Sequence, residues 1–207
     1  MDTAHRLGFL SSVGLIFVGI VYIVLVGFGM AKTGLDEPIV DPILAWMEAV
    51  TLLSTPLIVI LMAAVYDSAK GESKVFGLIA LSFSIIMAGL TSGVHFVTLT
   101  AGRQMDFMTL EWPSTLYALE LLSWDVFLGL SLIFAAPVFA GSGRRAGARW
   151  SLTITGTLCL IGAVGPIIAN MTVQRIGMLG YGIALPITCI LLALCFYEYD
   201  RSMHYER

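Results

Sequence analysis

The sequence predicts an all-α fold: a polytopic membrane protein whose six transmembrane helices form a bundle with short loops. Three observations predict it. Hydrophobic residues make up 58% of the 207 positions and charged residues 12%, against roughly half and a quarter in soluble globular chains. Mean hydropathy is +0.92. Six stretches reach the ~20 mostly apolar residues needed to cross a hydrocarbon core of about 30 Å. The breaks between them hold charges, glycine or proline and leave no room for a soluble domain, so residues 1–207 are expected to form a single integral membrane domain.

The first stretch is Gly8–Met30. Its apolar run is longer than the roughly 7–15 residues of a signal-peptide core, and no A-x-A-like cleavage site follows, so it reads as a retained helix. The break Lys32–Pro42 separates it from Ile43–Tyr66, which contains Pro56. Asp67–Lys74 leads into Val75–Thr100, and Arg103–Pro113 into Ser114–Ala140. Gly141–Arg149 then precedes Ser151–Asn170, and Met171–Arg175 precedes Ile176–Tyr197. Lipid cannot satisfy backbone N–H and C=O groups, so each stretch must be helical. Its length also excludes the short alternating strands of a barrel.

Loop charge orients the bundle. With both termini cytoplasmic, the inside holds Arg6, Lys70, Lys74, Arg144, Arg145, Arg149, Arg201 and Arg207, and the outside only Lys32, Arg103 and Arg175 of the 11 basic residues. That bias follows the positive-inside tendency, and Trp46, Trp112 and Trp150 sit near span ends as interfacial tryptophans do. The three cysteines, Cys159, Cys189 and Cys195, lie in apolar segments with no metal-type spacing, and read as packing residues. Gly14, Gly19, Gly156, Gly162 and Gly165 read as permitting close helix approach. No internal repeat of the inverted three-plus-three kind is discernible.

No Lys or Arg lies inside a span, but Glu48, His95, Glu120 and Asp125 do. Charged groups at mid-membrane cost about 2.5–3.5 kcal/mol each on insertion scales, which makes these four the candidates for a functional site. Glu48, His95 and Glu120 fall five or six residues from the outer span ends. At about 1.5 Å per residue they share a layer within roughly 10 Å of that boundary.

Each of the three also lies on a polar stripe at helical spacing. The second helix offers Glu48, Thr51 and Thr55 before Pro56. The third offers Thr91, Ser92, His95 and Thr98, and the fourth Tyr117, Glu120 and Trp124 with Ser123 beside them. An outward-opening pocket between helices two, three and four is therefore expected, with ligand-binding residues Glu48, Thr51, Thr55, Ser92, His95, Thr98, Tyr117, Glu120, Trp124 and Asp125. Asp125 sits about 140° around the helix from Glu120, so it faces helix five or six or a deeper branch of the pocket.

Three functions are compatible with this pattern. The first is binding, transport or proton-coupled movement of a small polar or cationic ligand or a lipid headgroup, with Tyr117 and Trp124 as cation-facing rings. The second is intramembrane catalysis on a lipid-like substrate, with His95, Glu48, Glu120 and Asp125 as candidate acid–base groups, or with Glu48, His95 and Glu120 holding a divalent metal. No HExxH, GxSxG, haem-type histidine pair, nucleotide or flavin motif supports a specific chemistry. His5 and His204 are terminal and cannot join His95. The third is an accessory or structural subunit of a larger membrane complex, whose polar residues serve only helix association; a homo-oligomer or a larger membrane complex is the expected protein partner. The net charge of −3 and the lack of any basic run beyond Arg144-Arg145 exclude nucleic acid as a partner.

Overall fold

A computed structural model describes residues 3–34, 39–105, 110 and 112–205, with side chains described as far as Glu198. Arg207 lies outside the described residues, as do the side chains of Arg201 and His204. The described residues are mostly helical, with no strand among them. Six helices are long and apolar enough to cross a membrane.

These are α1 (Thr3–Thr33), α2 (Ile43–Ser68), α3 (Ser73–Leu99, followed by a 3₁₀ turn at Ala101–Arg103), α4 (Thr115–Phe139), α5 (Arg144–Ile167) and α6 (Met171–Tyr205). Several ends run past the apolar stretches that announce them. The fifth helix begins at Arg144 rather than Ser151, because Arg144, Arg145 and Arg149 propagate a helix as well as apolar residues do. It ends early, at Ile167, where Pro166 is followed by Ala169 at φ +53°. Asn170 then caps α6, its side-chain oxygen accepting from the N–H groups of Thr172 (3.0 Å) and Val173 (3.4 Å), as N-cap residues do.

Two helices are not uniformly α. In α4, Leu122–Leu128 forms a π-helical segment and Ala136–Phe139 a 3₁₀ end; in α6, Gly180–Ala184 is π-helical just before Pro186. Hydropathy cannot register such turns, since they change the hydrogen-bond step and not the composition.

Each helix packs against its sequence neighbours, and α6 closes back on α1. The half of the bundle nearest the termini is filled by Ile58, Leu61, Met62 and Val65 of α2, Leu128, Leu132 and Ala135 of α4, Leu152 of α5, and Leu192 and Phe196 of α6. The outer surface is apolar: Phe17, Val24, Trp46, Leu53, Phe96, Trp150 and Ile167 are each more than 60% exposed. Such a surface suits a bilayer, where Leu gains nothing by leaving lipid and association rests on close packing and interhelical hydrogen bonds.

Both devices are present. Thr91 and Ser123 hydroxyls join α3 to α4 at 2.6 Å, and Ser123 donates to the Met87 carbonyl at 2.8 Å. Ser131 donates to the Ala80 carbonyl at 2.8 Å, and Thr155 meets Thr188 across α5 and α6 at 2.8 Å. Interhelical bonds of this kind contribute about 0.6 kcal/mol each. Close packing culminates where α5 crosses α6: a Cβ on Gly162 would stand 2.5 Å from the Gly177 Cα. At Gly162 the obstacle is backbone, so nothing larger than glycine fits there; at Gly177 it is the Asp125 carboxyl, 2.2 Å from the position of an added Cβ.

Candidate functional site

Pro56 shapes the α2 wall. Having no N–H, it leaves the Leu52 carbonyl without its helical donor. The Thr55 hydroxyl supplies the missing bond at 2.9 Å and lies 3.1 Å from the Ser92 hydroxyl of α3. Thr55 and Ser92 thus spend their polarity within the α2–α3 contact. Glu48 is 97% buried about two turns nearer the end of the bundle away from the termini, called here the far end. Thr98 and His95 of α3 are its polar neighbours, and its Oε2 atom has no hydrogen-bond partner.

His95 is the link between α3 and α4. Its Nε2 atom stands 2.9 Å from Glu120 Oε1. With Glu120 ionised, its carboxylate can only accept, so Nε2 carries the proton. His95 Nδ1 and Glu120 Oε2 are buried without partners. Unmet polar atoms of this kind cost about 1–3 kcal/mol each unless something completes them. At the far end, Arg103 is held by Asp41 through two contacts of 2.9 and 3.0 Å, in an exposed pair.

The His95–Glu120 pair borders a cavity of about 220 Å³ in the far half of the bundle. Its wall is wider than helices two, three and four. Gly19 and Tyr22 of α1, Thr51 and Ser54 of α2, Tyr117, Glu120 and Trp124 of α4, and Tyr181, Gly182 and Pro186 of α6 line it, and Leu110 approaches from the α3–α4 connection. Among the described residues, no Lys or Arg lines it. Trp124 and Tyr181 meet across it with ring centroids 5.4 Å apart. Both rings stand on the π-helical segments of α4 and α6, a feature often found where helices build functional sites.

The ten residues singled out from sequence therefore separate. Thr51, His95, Tyr117, Glu120 and Trp124 line the cavity; Glu48 and Thr98 stand behind His95; Thr55 and Ser92 tie α2 to α3. Asp125 points away from Glu120, toward α5 and α6. It is fully buried against Gly162 and Gly177, and accepts from the Gln174 amide at 3.4 Å. Tyr22 and Tyr181 did not stand out because their predicted spans hold no carboxylate or histidine to anchor a polar stripe, and Gln174 because it falls in the predicted break Met171–Arg175. A tyrosine in an otherwise apolar helix is the signal that could have found two of them.

Among the described residues, no three His, Cys, Asp or Glu side chains are grouped so as to hold a metal ion. The metal-holding alternative for Glu48, His95 and Glu120 thus draws no support from the geometry. What the described residues offer is a small, largely aromatic and aliphatic chamber with a carboxyl–imidazole pair, a further carboxyl behind it and, among them, no Lys or Arg. Comparison with family models, with curated proteins and with solved structures found no match to this chain.

Proposed function

We propose that the chain is an integral membrane protein, with both termini cytoplasmic, that binds a small organic cation in the far-half cavity, in transport or in sensing of that cation. The observation that carries this reading is the unpartnered Oε2 of Glu120 at the edge of a cavity lined by Tyr22, Tyr117, Trp124 and Tyr181. Aromatic faces attract a cation by about 0.5–2 kcal/mol each, more where water is excluded. Two carboxyls against one imidazole keep the layer an acceptor of positive charge. A volume of about 220 Å³ is below the roughly 300–1,000 Å³ of drug-sized pockets, so the occupant is small.

The test is titration of the purified protein in nanodiscs with tetramethylammonium, read by Trp fluorescence and confirmed by calorimetry. Saturable binding that weakens at least about tenfold in Glu120→Gln is expected, since losing a charged partner costs about 1.5–3 kcal/mol. Saturable binding that Glu120→Gln leaves unchanged places the cation elsewhere and overturns the reading, as does an absence of binding.

The His95–Glu120 pair also favours a second reading, acid–base catalysis on a lipid-like substrate. Its two open atoms, His95 Nδ1 and Glu120 Oε2, are one acceptor or donor each for a substrate proton. Turnover of a bound lipid that is lost in both His95→Gln and Glu120→Gln would favour this reading over simple binding.

A further inference from the structure

Besides the His95–Glu120 pair, a hydrogen-bonded chain reaches the cavity wall from the α4–α5–α6 interface. Gln174 Nε2 donates to Asp125 Oδ2 at 3.4 Å and to the Tyr181 hydroxyl oxygen at 3.1 Å. Gln174 is 99% buried and Asp125 fully buried. An amide NH₂ has two protons, and these two contacts use both. With Asp125 ionised, its oxygen accepts and cannot donate, and this sets which way the amide faces. The NH₂ group, and not the carbonyl, is thereby presented to Tyr181.

That orientation determines what Tyr181 can do. Its oxygen is already an acceptor from Gln174, so its own O–H must donate elsewhere, and among the described residues no oxygen receives it. Tyrosine hydroxyls in such settings normally find a partner. Tyr181 lines the cavity and leans on Trp124. The donor is therefore available to whatever the cavity holds.

We infer that Tyr181 is a specificity-determining hydrogen-bond donor, positioned by Gln174 and Asp125, and that the cavity's ligand is a cation bearing an acceptor oxygen: a quaternary amino alcohol or the headgroup chemistry that contains one. The inference rests on the cation reading above and deepens it. The cationic end lies toward Glu120 and the rings, and the oxygen toward Tyr181. The same chemistry occurs in free choline-like molecules and in phosphocholine headgroups.

Two probes isolate the oxygen. Choline and n-propyltrimethylammonium have the same cation and nearly the same length, but only choline ends in a hydroxyl. With wild-type protein in phosphatidylglycerol nanodiscs, choline should bind about tenfold more tightly, the worth of one buried hydrogen bond. Tyr181→Phe, which keeps the ring, should bring the ratio of the two affinities to about one. Gln174→Met, which releases the hydroxyl to turn, should lower the ratio as well.

Equal affinities in the wild type, or a ratio that survives Tyr181→Phe, overturn the inference while leaving the cation reading intact. A ratio untouched by Gln174→Met overturns the positioning role. Absence of binding by both probes overturns the cation reading and this inference together. Repeating the choline titration in phosphatidylcholine nanodiscs separates the sources. A weakened apparent affinity there assigns the lipid headgroup as occupant, and an unchanged one assigns the free cation; both results retain the donor at Tyr181.

Discussion

Gly177→Ala is a small change with a large expected consequence. The new Cβ would stand 2.2 Å from Asp125 Oδ1 and 3.0 Å from its Cγ, where unstrained carbon–oxygen contacts need about 3.3 Å. The carboxyl must retreat by about 1 Å to restore an ordinary contact. Its two oxygens move together, so a shift of that size also disrupts the 3.4 Å bond from Gln174 to Oδ2. Overpacking of this kind costs about 1–3 kcal/mol and the lost hydrogen bond about 1 kcal/mol. Replacing a helical glycine returns about 0.5–1 kcal/mol.

The net expectation is a loss of about 1–3 kcal/mol, read by reversible SDS titration of helicity in mixed micelles. Gly93→Ala is the control: nothing lies within 4 Å of the added carbon, so that variant should be as stable as the parent or up to about 1 kcal/mol more so. Asp125→Ala combined with Gly177→Ala removes the obstructing oxygen, and should recover most of the loss relative to the sum of the single changes. A Gly177→Ala protein within about 0.5 kcal/mol of the parent would show that Asp125 does not occupy that crossing, as would a double variant that recovers nothing.

The Pro56 turn and the orientation of the chain yield two more expectations. Thr55→Val keeps the shape but strands the Leu52 carbonyl that Pro56 leaves open, so it should cost about 1–3 kcal/mol; Thr55→Ser should stay within about 0.5 kcal/mol, and equal behaviour of the two in the same SDS titration would refute the role of the hydroxyl. For orientation, Val40→Cys and Ser142→Cys are introduced where the native cysteines are replaced by alanine. An impermeant maleimide should modify Val40→Cys in intact cells and Ser142→Cys only after permeabilisation, and labelling of Ser142→Cys from outside would invert the topology.

The six helices were legible because hydropathy is an additive property: a run such as Leu57–Ala64 stays apolar whatever packs against it. Helix ends were less legible, since Arg144 and Arg149 are poor lipid residues but good helix formers. The turn types in α4 and α6 left no compositional mark at all. For the candidate site, depth and spacing placed His95 and Glu120 on facing stripes, and their contact follows from those two quantities. The separation of Asp125 from Glu120 was readable for the same reason. Tyr22, Tyr181 and Gln174 were not, because their relevance comes from which helices adjoin which, and adjacency of α1 and α6 to the cavity is a tertiary fact.

The π-helical segment at Leu122–Leu128 is, geometrically, one residue too many for an α-helix. An extra residue shifts the angular phase of everything on one side of it relative to the other, as a stutter does in a coiled coil. The half of α4 that bears Tyr117 and Glu120 and the half that bears Leu132 and Ala135 therefore keep separate rotational settings on one continuous rod. Each half can meet its own neighbours at its own angle, and a one-residue deletion within the segment would lock the two settings together. A single helix thereby behaves as two short ones joined by a fixed clutch, with the chamber's lining and the packed base each free to vary without turning the other.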